Sequence, residues 1–242
     1  ILQWIDKNHS YNSKSWEVDI VAKRIIAWTS NSKLTYEDSS SDYKNKFNSV
    51  VKKQINHLIN EIERSEWVDD KMIGCAAIIL TGLSYQDKND YLNIGLNLLR
   101  KLIKFSFDND GFPKSRNLRQ LNFYLKHFIL IREWLKESQN EIPDFINENI
   151  YYLGQAYAFT WQNNKVDLLF NGNHETNNAD FDHYLKKLGY NFKNQSNELG
   201  GYAALNNKKT SLIMDIGPSP DKKFSSNYQA GALSFEIISG GK

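Results

Sequence analysis

Residues 72–83, Met72-Ile73-Gly74-Cys75-Ala76-Ala77-Ile78-Ile79-Leu80-Thr81-Gly82-Leu83, are apolar on nearly every side of a helical projection. The run is shorter than the roughly 20 apolar residues that a membrane helix needs. It is typical of an inner helix that packs against neighbours on several sides. It also contains Cys75, the single cysteine of the chain. One cysteine can form neither an internal disulfide nor a Cys-based zinc site, and we expect Cys75 to be a small buried residue rather than a nucleophile.

Amphipathic segments lie on both sides of this run. Apolar residues recur at helical spacing in residues 16–28, 43–64, 90–107, 117–136 and 143–161. We expect Ser41 or Asp42 to cap the second of these helices, and Pro143 to stand in the first turn of the last. Helices of similar length that are joined by short loops predict an array of helical hairpins, either curved or closed.

The pattern changes after residue 195. Residues 201–205, a polar turn and residues 210–216 predict a β-hairpin, and residues 232–238 alternate as a strand does. Three strands make only a marginal sheet by themselves. They either pack on the helices or begin a β domain that this chain does not complete. We therefore divide the chain into a helical domain, residues 1–195, and the start of a β domain, residues 196–242.

The composition of the 242 residues is that of a globular protein. Lys and Arg total 30 against 28 Asp and Glu, so the formal charge is +2, and the aromatic content of 13% is too high for a disordered chain. The near-neutral balance argues against a nucleic-acid partner, because such proteins usually carry a concentrated basic face. No leader-like segment follows Ile1, and we expect both ends to be internal to a longer protein. A bacterial periplasmic and a cytoplasmic location stay open, as does the oligomeric state.

Several stretches, taken in order, resemble one known family. They are Trp16–Trp28, Ala77–Leu83, Asp110–Asn117 and Asp215–Pro218 followed by Ala230–Glu236. The chain is similar to the heparinase II/III-like family of polysaccharide lyases, and the last two stretches are its most specific matches. The resemblance implies a mainly α fold. An incomplete α/α-toroid would be followed by the first strands of an antiparallel β-sandwich.

Positions at which the family carries histidines hold other residues here. Asp69-Asp70 stands where many members have Asn-His, and Pro113 replaces the histidine of the 110–117 loop. A tyrosine that some members place after this loop falls near Gln120, and the His-x-His-x-Asp run becomes residues 227–231. The usual base and the metal-coordinating histidines are thus absent at these positions. We expect no metal and no cofactor.

The resemblance implies β-elimination of uronic-acid-containing chains, and this chemistry has defined needs. Donors must neutralise the substrate carboxylate, a base must take the proton on carbon 5, and an acid must protonate the leaving oxygen. Arg116 and Asn117 match the family loop and suit the carboxylate-binding role. An arginine can grip a carboxylate with two hydrogen bonds, and an asparagine can donate one without adding charge. The alternative for Asn117 is that it caps the following helix.

Two further residues are candidates for proton transfer. His174 lies in the polar stretch Asn171-Gly172-Asn173-His174, which resembles the Phe-Asn-Gly loop of the family. The alternative is an ordinary exposed histidine in a turn. Tyr228 stands where the family has its histidine run, and a nearby cation could lower the pKa of its phenol.

We therefore predict a catalytic site of Arg116, Asn117, His174 and Tyr228. The predicted substrate contacts are Lys114, Arg119, Asn171, Asn173 and Gln229. For each of the basic residues taken alone, a solvated surface position is the alternative. We expect surface or packing roles for His57, His127 and His183.

Three hypotheses for function remain open. The first is a lyase acting on acidic polysaccharide, and the second is a non-catalytic relative that binds glycans or serves as a scaffold. The third is a helical interaction module without a carbohydrate role. The resemblance favours the first two hypotheses over the third. The substituted histidines reduce the support for the lyase relative to the non-catalytic relative.

Overall fold

A computed structural model describes residues 1–85, 90–162, 165–174, 178–194, 196–226, 228–229, 231 and 233–239 of the protein. The helices are α1 (Leu2–Asn8), α2 (Val18–Thr29), α3 (Ser41–Glu61), α4 (Val68–Ser84), α5 (Tyr91–Ser106), α6 (Leu118–Glu137), α7 (Asp144–Tyr157) and α8 (Asn178–Lys187). The strands are β1 (Glu198–Leu199), β2 (Tyr202–Asn206), β3 (Thr210–Asp215) and β4 (Phe235–Ser239). No helix among these residues has the length and apolar character that crossing a bilayer requires.

The helices that the apolar spacing predicts are present, with differences at their ends. Ser40 caps α3 by accepting a hydrogen bond from the Tyr43 amide, so the predicted caps Ser41 and Asp42 are wrong by one or two positions. Pro143 stands just before α7 rather than inside its first turn. Between α2 and α3, Lys33–Glu37 form one π-helical turn. Helix ends depend on local capping contacts, which apolar spacing does not encode.

Helix α8 and the short strand β1 were not predicted. In α8 Phe181 and Leu185 mark a short apolar face, and most of the other residues of the helix are polar. Its Asp182 is buried and forms ion pairs with Lys165 and Lys186. Because these stabilising contacts are with charged side chains, hydrophobic periodicity gives no signal for the helix.

The chain divides into two compact units, and the first comprises Ile1–Ile103 and Leu130–Ile142. Helix α4 is its interior helix, since every residue from Met72 to Thr81 is buried. This confirms the inner helix that the apolar run predicts. Cys75 is buried within it, and burial raises the pKa of its thiol to about 12. The thiol is therefore neutral and inert, as expected.

The second unit comprises Lys104–Ile129 and Pro143–Lys242. It contains a four-stranded antiparallel sheet in the order β1-β2-β3-β4, with Tyr202 of β2 directly opposite Asp215 of β3. The buried face of the sheet carries Tyr202, Ala204, Ile213, Asp215 and Ile238. The predicted hairpin is confirmed. One charged residue, Asp215, thus lies among apolar neighbours and needs a partner.

Candidate functional site

The loop after α5 is held by hydrogen bonds between the Asp108 side chain and backbone amides of the same loop. The Asp108 carboxylate accepts the amides of Asp110, at 3.0 Å, and Phe112, at 2.8 Å. Burial raises the pKa of this carboxyl, and the two amide hydrogen bonds oppose the shift. Phe112 is buried and packs against the Tyr202 ring at 6.1 Å. The loop therefore presents the residues that follow it, Lys114 to Asn117, in one defined arrangement.

Arg116 is buried, with 6% of its surface exposed, and every nitrogen of its guanidinium is engaged. It donates to the carbonyls of Gly200 (3.1 Å), Gly201 (2.8 Å) and Pro218 (2.9 Å). It also forms an ion pair with Asp215, which is fully buried. The predicted grip of Arg116 on a substrate carboxylate does not fit this geometry, because its donors already bind protein acceptors. Arg116 instead joins the loop to the strands.

Two glycines make room for this guanidinium. A Cβ atom on Gly201 would lie 2.8 Å from the Arg116 Nε and Nη2 atoms, and one on Gly217 would lie 2.6 Å from its Cζ atom. Gly201 also has a φ of +80°, which side chains rarely adopt. The strand ends therefore need glycine at both positions to accept the arginine.

Asn117 confirms the capping alternative. Its Oδ1 accepts the Gln120 amide at 3.0 Å, which caps α6. Its Nδ2 donates to the Asn171 carbonyl at 2.9 Å. The side chain is buried, with 4% of its surface exposed. Asn117 thus combines a helix cap with a tie to the 171–174 turn.

Asn171 and Tyr202 complete the contact between the loop and the sheet. Asn171 Nδ2 donates to the Tyr202 hydroxyl at 2.5 Å and to Asp215 Oδ2 at 3.1 Å. The Tyr202 hydroxyl donates to the Arg116 carbonyl at 2.7 Å. Burial raises the pKa of Tyr202, so its phenol is a neutral hydrogen-bonding group rather than a base. We call Arg116, Asn117, Asn171, Tyr202 and Asp215 the inner cluster.

His174 lies at the exposed end of the turn that Asn171 begins. The turn is closed by the Asn173 amide, which donates to the Phe170 carbonyl at 3.0 Å. The Asn173 side chain donates to the Leu168 carbonyl at 2.6 Å, and its Oδ1 atom is buried without a partner among the described residues. A rigid turn therefore carries an accessible imidazole.

Tyr228 is half-buried, and its hydroxyl lies 3.5 Å from the Ser219 hydroxyl. Ser219 directly follows Pro218, whose carbonyl binds Arg116. Tyr228 also contributes to the electrostatic environment of Tyr202. Gln229 is exposed. We call His174, Tyr228 and Gln229 the rim.

The two predicted basic contacts differ. The Lys114 ammonium donates to the carbonyls of Lys104 (3.3 Å) and Phe105 (3.1 Å) near the end of α5 and lies over the Phe224 ring at 5.9 Å. A cation at a helix C-terminus is favourable, so Lys114 has a structural partner. Arg119 is exposed on the first turn of α6.

One family model matches the C-terminal part of the chain. Residues 194–242 match the family model described as heparinase II/III-like, C-terminal. This segment is therefore similar to members of the heparinase II/III-like family. The resemblance that the sequence indicates is thereby confirmed. No curated protein matches the chain.

Solved heparinases share the fold of the whole chain. The chain is similar to a crystal structure titled heparinase III, with a TM-score of 0.76 and 16% identity over 100% of this chain and 44% of that one. It is also similar to the heparan sulfate lyase HepC from Pedobacter heparinus, with a TM-score of 0.72 and 14% identity over 100% of this chain and 43% of the other. The predicted fold class, toroid helices followed by the first strands of an antiparallel sandwich, is confirmed. The chain spans less than half the length of these structures.

The heparinase-like segment supplies two residues that the sequence analysis did not select. Asp215 and Tyr202 hold Arg116 and Asn171, but Tyr202 was noted only as part of a strand and Asp215 only as part of a strand and of a family-like stretch. A signal for Asp215 was available, because its alternation with Ile213 puts a carboxylate on the buried face of β3. Tyr202 carried no such signal.

The metal-binding run of the heparinase II/III-like family is not matched by suitable ligands. Tyr228, Gln229 and Gly231 occupy three of its positions, and Asn227 and Ala230 lie outside the described residues. Within the part of the chain that is described, no three His, Cys, Asp or Glu side chains converge. Phenol and amide groups do not replace an imidazole set, so these residues do not fit the metal.

Proposed function

We propose that this chain is part of a lyase that cleaves uronic-acid-containing polysaccharide by β-elimination. The inner cluster is the observation that carries the proposal. It ties the Asp110–Asn117 loop, the 171–174 turn and the strand ends into one rigid support. The two candidate proton-transfer residues remain partly or fully accessible, because His174 is exposed and Tyr228 is half-buried. The fold shared with the heparan sulfate lyase HepC supports the same reaction class.

The reaction needs one proton removed and one proton delivered. A base takes the proton from carbon 5 of the uronate, and the electron pair forms the double bond between carbons 4 and 5. The bond from carbon 4 to the bridging oxygen breaks, and an acid protonates that oxygen. We assign these two transfers to His174 and Tyr228. Imidazole and phenol can each give and accept a proton.

Of the two residues expected to neutralise the substrate carboxylate, only Asn117 keeps that role in this proposal. Arg116 serves as a positioning residue, because its nitrogens are held by carbonyls and by Asp215. Asn117 donates one amide hydrogen to Asn171, and we propose that its second amide hydrogen meets the carboxylate. Arg119, Asn173 and Gln229 contact the neighbouring sugars. Lys114 adds positive charge from a fixed position.

A direct assay tests the proposal. The protein is incubated with heparan sulfate and with other uronate polymers, and the absorbance of unsaturated chain ends is followed. We expect His174→Gln and Tyr228→Phe each to lower the rate by about 10² or more, because each removes one positioned proton-transfer group. His183→Gln, which changes an exposed histidine on α8, is the matched control and should retain the full rate. Equal rates for all variants would refute the assignment.

Substituted family positions favour one alternative, a non-catalytic relative that binds glycans. Pro113 replaces the loop histidine, and Asp69-Asp70 replaces Asn-His. Polymer binding by the wild type without any new absorbance would establish this second function. If the polymers neither bind nor are cleaved, both functions fail and the interaction module remains.

A further inference from the structure

A groove in the first unit shares no residue with the inner cluster. Two adjoining cavities, of about 370 Å³ and about 400 Å³, form this groove. Both are lined by Asn48 of α3 and by Tyr85, the residue that follows α4. Each volume lies in the range of about 300–1,000 Å³ that is usual for small-molecule sites.

Aromatic rings form the walls of the groove. Trp28, Tyr36 and Phe47 line one cavity, and Tyr91 lines the other. Trp28 and Tyr36 are half-buried, so part of each side chain is exposed to solvent, and the Lys44 ammonium lies 5.3 Å from the centre of the Tyr36 ring. The flat C–H face of a pyranose packs well on such rings, because apolar C–H groups meet the negative face of the π system.

Asn48 supplies polar groups where the two cavities meet. Its Nδ2 donates to the Tyr36 hydroxyl at 2.9 Å, and its Oδ1 accepts the Tyr85 hydroxyl at 3.1 Å. Each of these amide atoms can make a second hydrogen bond. Burial raises the pKa of Tyr85, so its phenol stays neutral. The groove therefore offers paired donors and acceptors between aromatic walls.

The wall that carries Tyr36 is held in place before any ligand arrives. The Thr35 hydroxyl donates to the Trp28 carbonyl at 2.7 Å, and the Tyr43 hydroxyl donates to the Thr35 carbonyl at 2.8 Å. Tyr36 itself packs on Phe47 with ring centroids 5.3 Å apart. A wall that is already ordered lowers the entropy cost of binding.

We infer that this groove binds a pyranose unit of a glycan chain, as a second sugar site outside the candidate catalytic region. Aromatic walls with a central amide match a ring that has one apolar face and hydroxyls at its edge. Lys52 is the charged residue among the described lining residues, and no carboxylate lies there to repel an acidic sugar. That the chain is an acidic polysaccharide rests on the proposed function, whereas the sugar site itself does not.

Calorimetry in a His174→Gln background tests the inference without cleavage of the probe. The probes are a heparan sulfate tetrasaccharide and neutral cellotetraose. We expect Tyr36→Ala to weaken tetrasaccharide binding about tenfold or more, which is usual for loss of an aromatic anchor. Leu34→Ala is the matched control, since Leu34 lies on the same helical turn, is 87% exposed and does not line the groove. It should change the affinity by less than about twofold.

A second variant guards against loss of folding. Tyr36→Phe keeps the ring on Phe47, removes the hydroxyl that Asn48 holds, and should weaken binding about threefold. Thermal melting confirms that each variant is folded. If Tyr36→Ala and Tyr36→Phe bind both probes as the unaltered background does, or if neither probe binds that background, the inference is overturned.

The two proposals fail separately. Groove-dependent binding in a protein that releases no unsaturated ends would support the groove and refute the lyase. If the protein cleaves the polymer and the groove variants bind it normally, the lyase is supported and the groove site is refuted. If cellotetraose alone binds through Tyr36, the sugar site stands and the acidic polymer is excluded from it.

Discussion

The inner cluster and the rim lie in the same unit, yet their side chains meet opposite surroundings. Arg116 and Asp215 are nearly or fully buried, and their polar atoms bind one another and the backbone. His174 and Gln229 are exposed, and Tyr228 is half-buried with one long hydroxyl contact. A charged residue in a motif that resembles a family can thus stabilise the fold rather than take part in catalysis. This contrast predicts that substitutions in the inner cluster cost much more folding free energy than substitutions at the rim.

The largest effect is expected for Arg116→Met. It leaves Asp215 as an unpaired buried charge and removes one donor from each of three carbonyls, at a cost of about 3–5 kcal/mol. Chemical denaturation should measure this loss of unfolding free energy. The control is the double variant Arg116→Met with Asp215→Asn, which removes both charges and should recover part of the loss. If Arg116→Met is as stable as the wild type, Arg116 does not stabilise the fold and resembles the rim residues instead.

A buried histidine provides the next test. His127 is 7% exposed, its ring nitrogen lies 2.7 Å from the Phe123 carbonyl, and burial lowers its pKa from 6.5 to about 4. The unfolded chain therefore binds a proton between these values that the folded chain does not. Stability contributed by neutral His127 is complete above pH 6.5 and is lost as pH falls towards 4. The loss is on the order of 2–3 kcal/mol.

Denaturation at several pH values measures this loss. His127→Gln keeps a donor for the Phe123 carbonyl and cannot titrate, so its stability should vary less between pH 6.5 and pH 4. His174→Gln, at the rim, should keep the pH dependence of the wild type. If His127→Gln shows the same dependence as the wild type, the buried histidine is not its source.

A smaller effect is expected for Asn117→Ala. The variant loses the cap of α6 and the bond to the Asn171 carbonyl, at a cost of about 1–2 kcal/mol. Asn117→Asp separates the two contributions, since an aspartate keeps the cap and cannot donate to Asn171. Comparing the two variants by thermal denaturation assigns the difference to the tie with the 171–174 turn. If Asn117→Ala and Asn117→Asp are equally stable, the side chain at this position does not stabilise α6 as a cap.

The smallest effect on folding belongs to the rim. His174→Gln should change the unfolding free energy by less than about 0.5 kcal/mol, as exposed substitutions usually do. Under the proposed function, the same change should lower the cleavage rate by about 10² or more. Melting and the absorbance assay on one preparation measure both. A strongly destabilised His174→Gln protein would erase the contrast between rim and inner cluster.

Much of this fold could be predicted from local pattern, and the failures have physical causes. The run from Met72 to Leu83 predicted an inner helix because apolar residues on every side must be buried. Helix α8 was not predicted, because ion pairs of Asp182 with Lys165 and Lys186 stabilise it and apolar periodicity does not reveal such contacts. The boundary at residue 195 separates helices from strands and stays a prediction as a division between domains.

The candidate site was predicted less completely than the fold. The residue types selected for the chemistry stay a prediction, and Arg116, Asn117 and Asn171 do lie together. Their roles depended on partners far away in sequence. Asp215 is 99 positions from Arg116, and no local pattern joins the two.

The sequence by itself determined most of the helices and strands, though not α8 or β1, and it indicated the residues able to do acid–base or carboxylate chemistry. Periodicity and side-chain chemistry are local properties, which is why a single chain carries them. Only the tertiary structure decided that Arg116 faces Asp215 and that His174 faces water. Burial and pairing arise from contacts between distant segments, and they decide whether a charge supports the fold or remains available to a substrate.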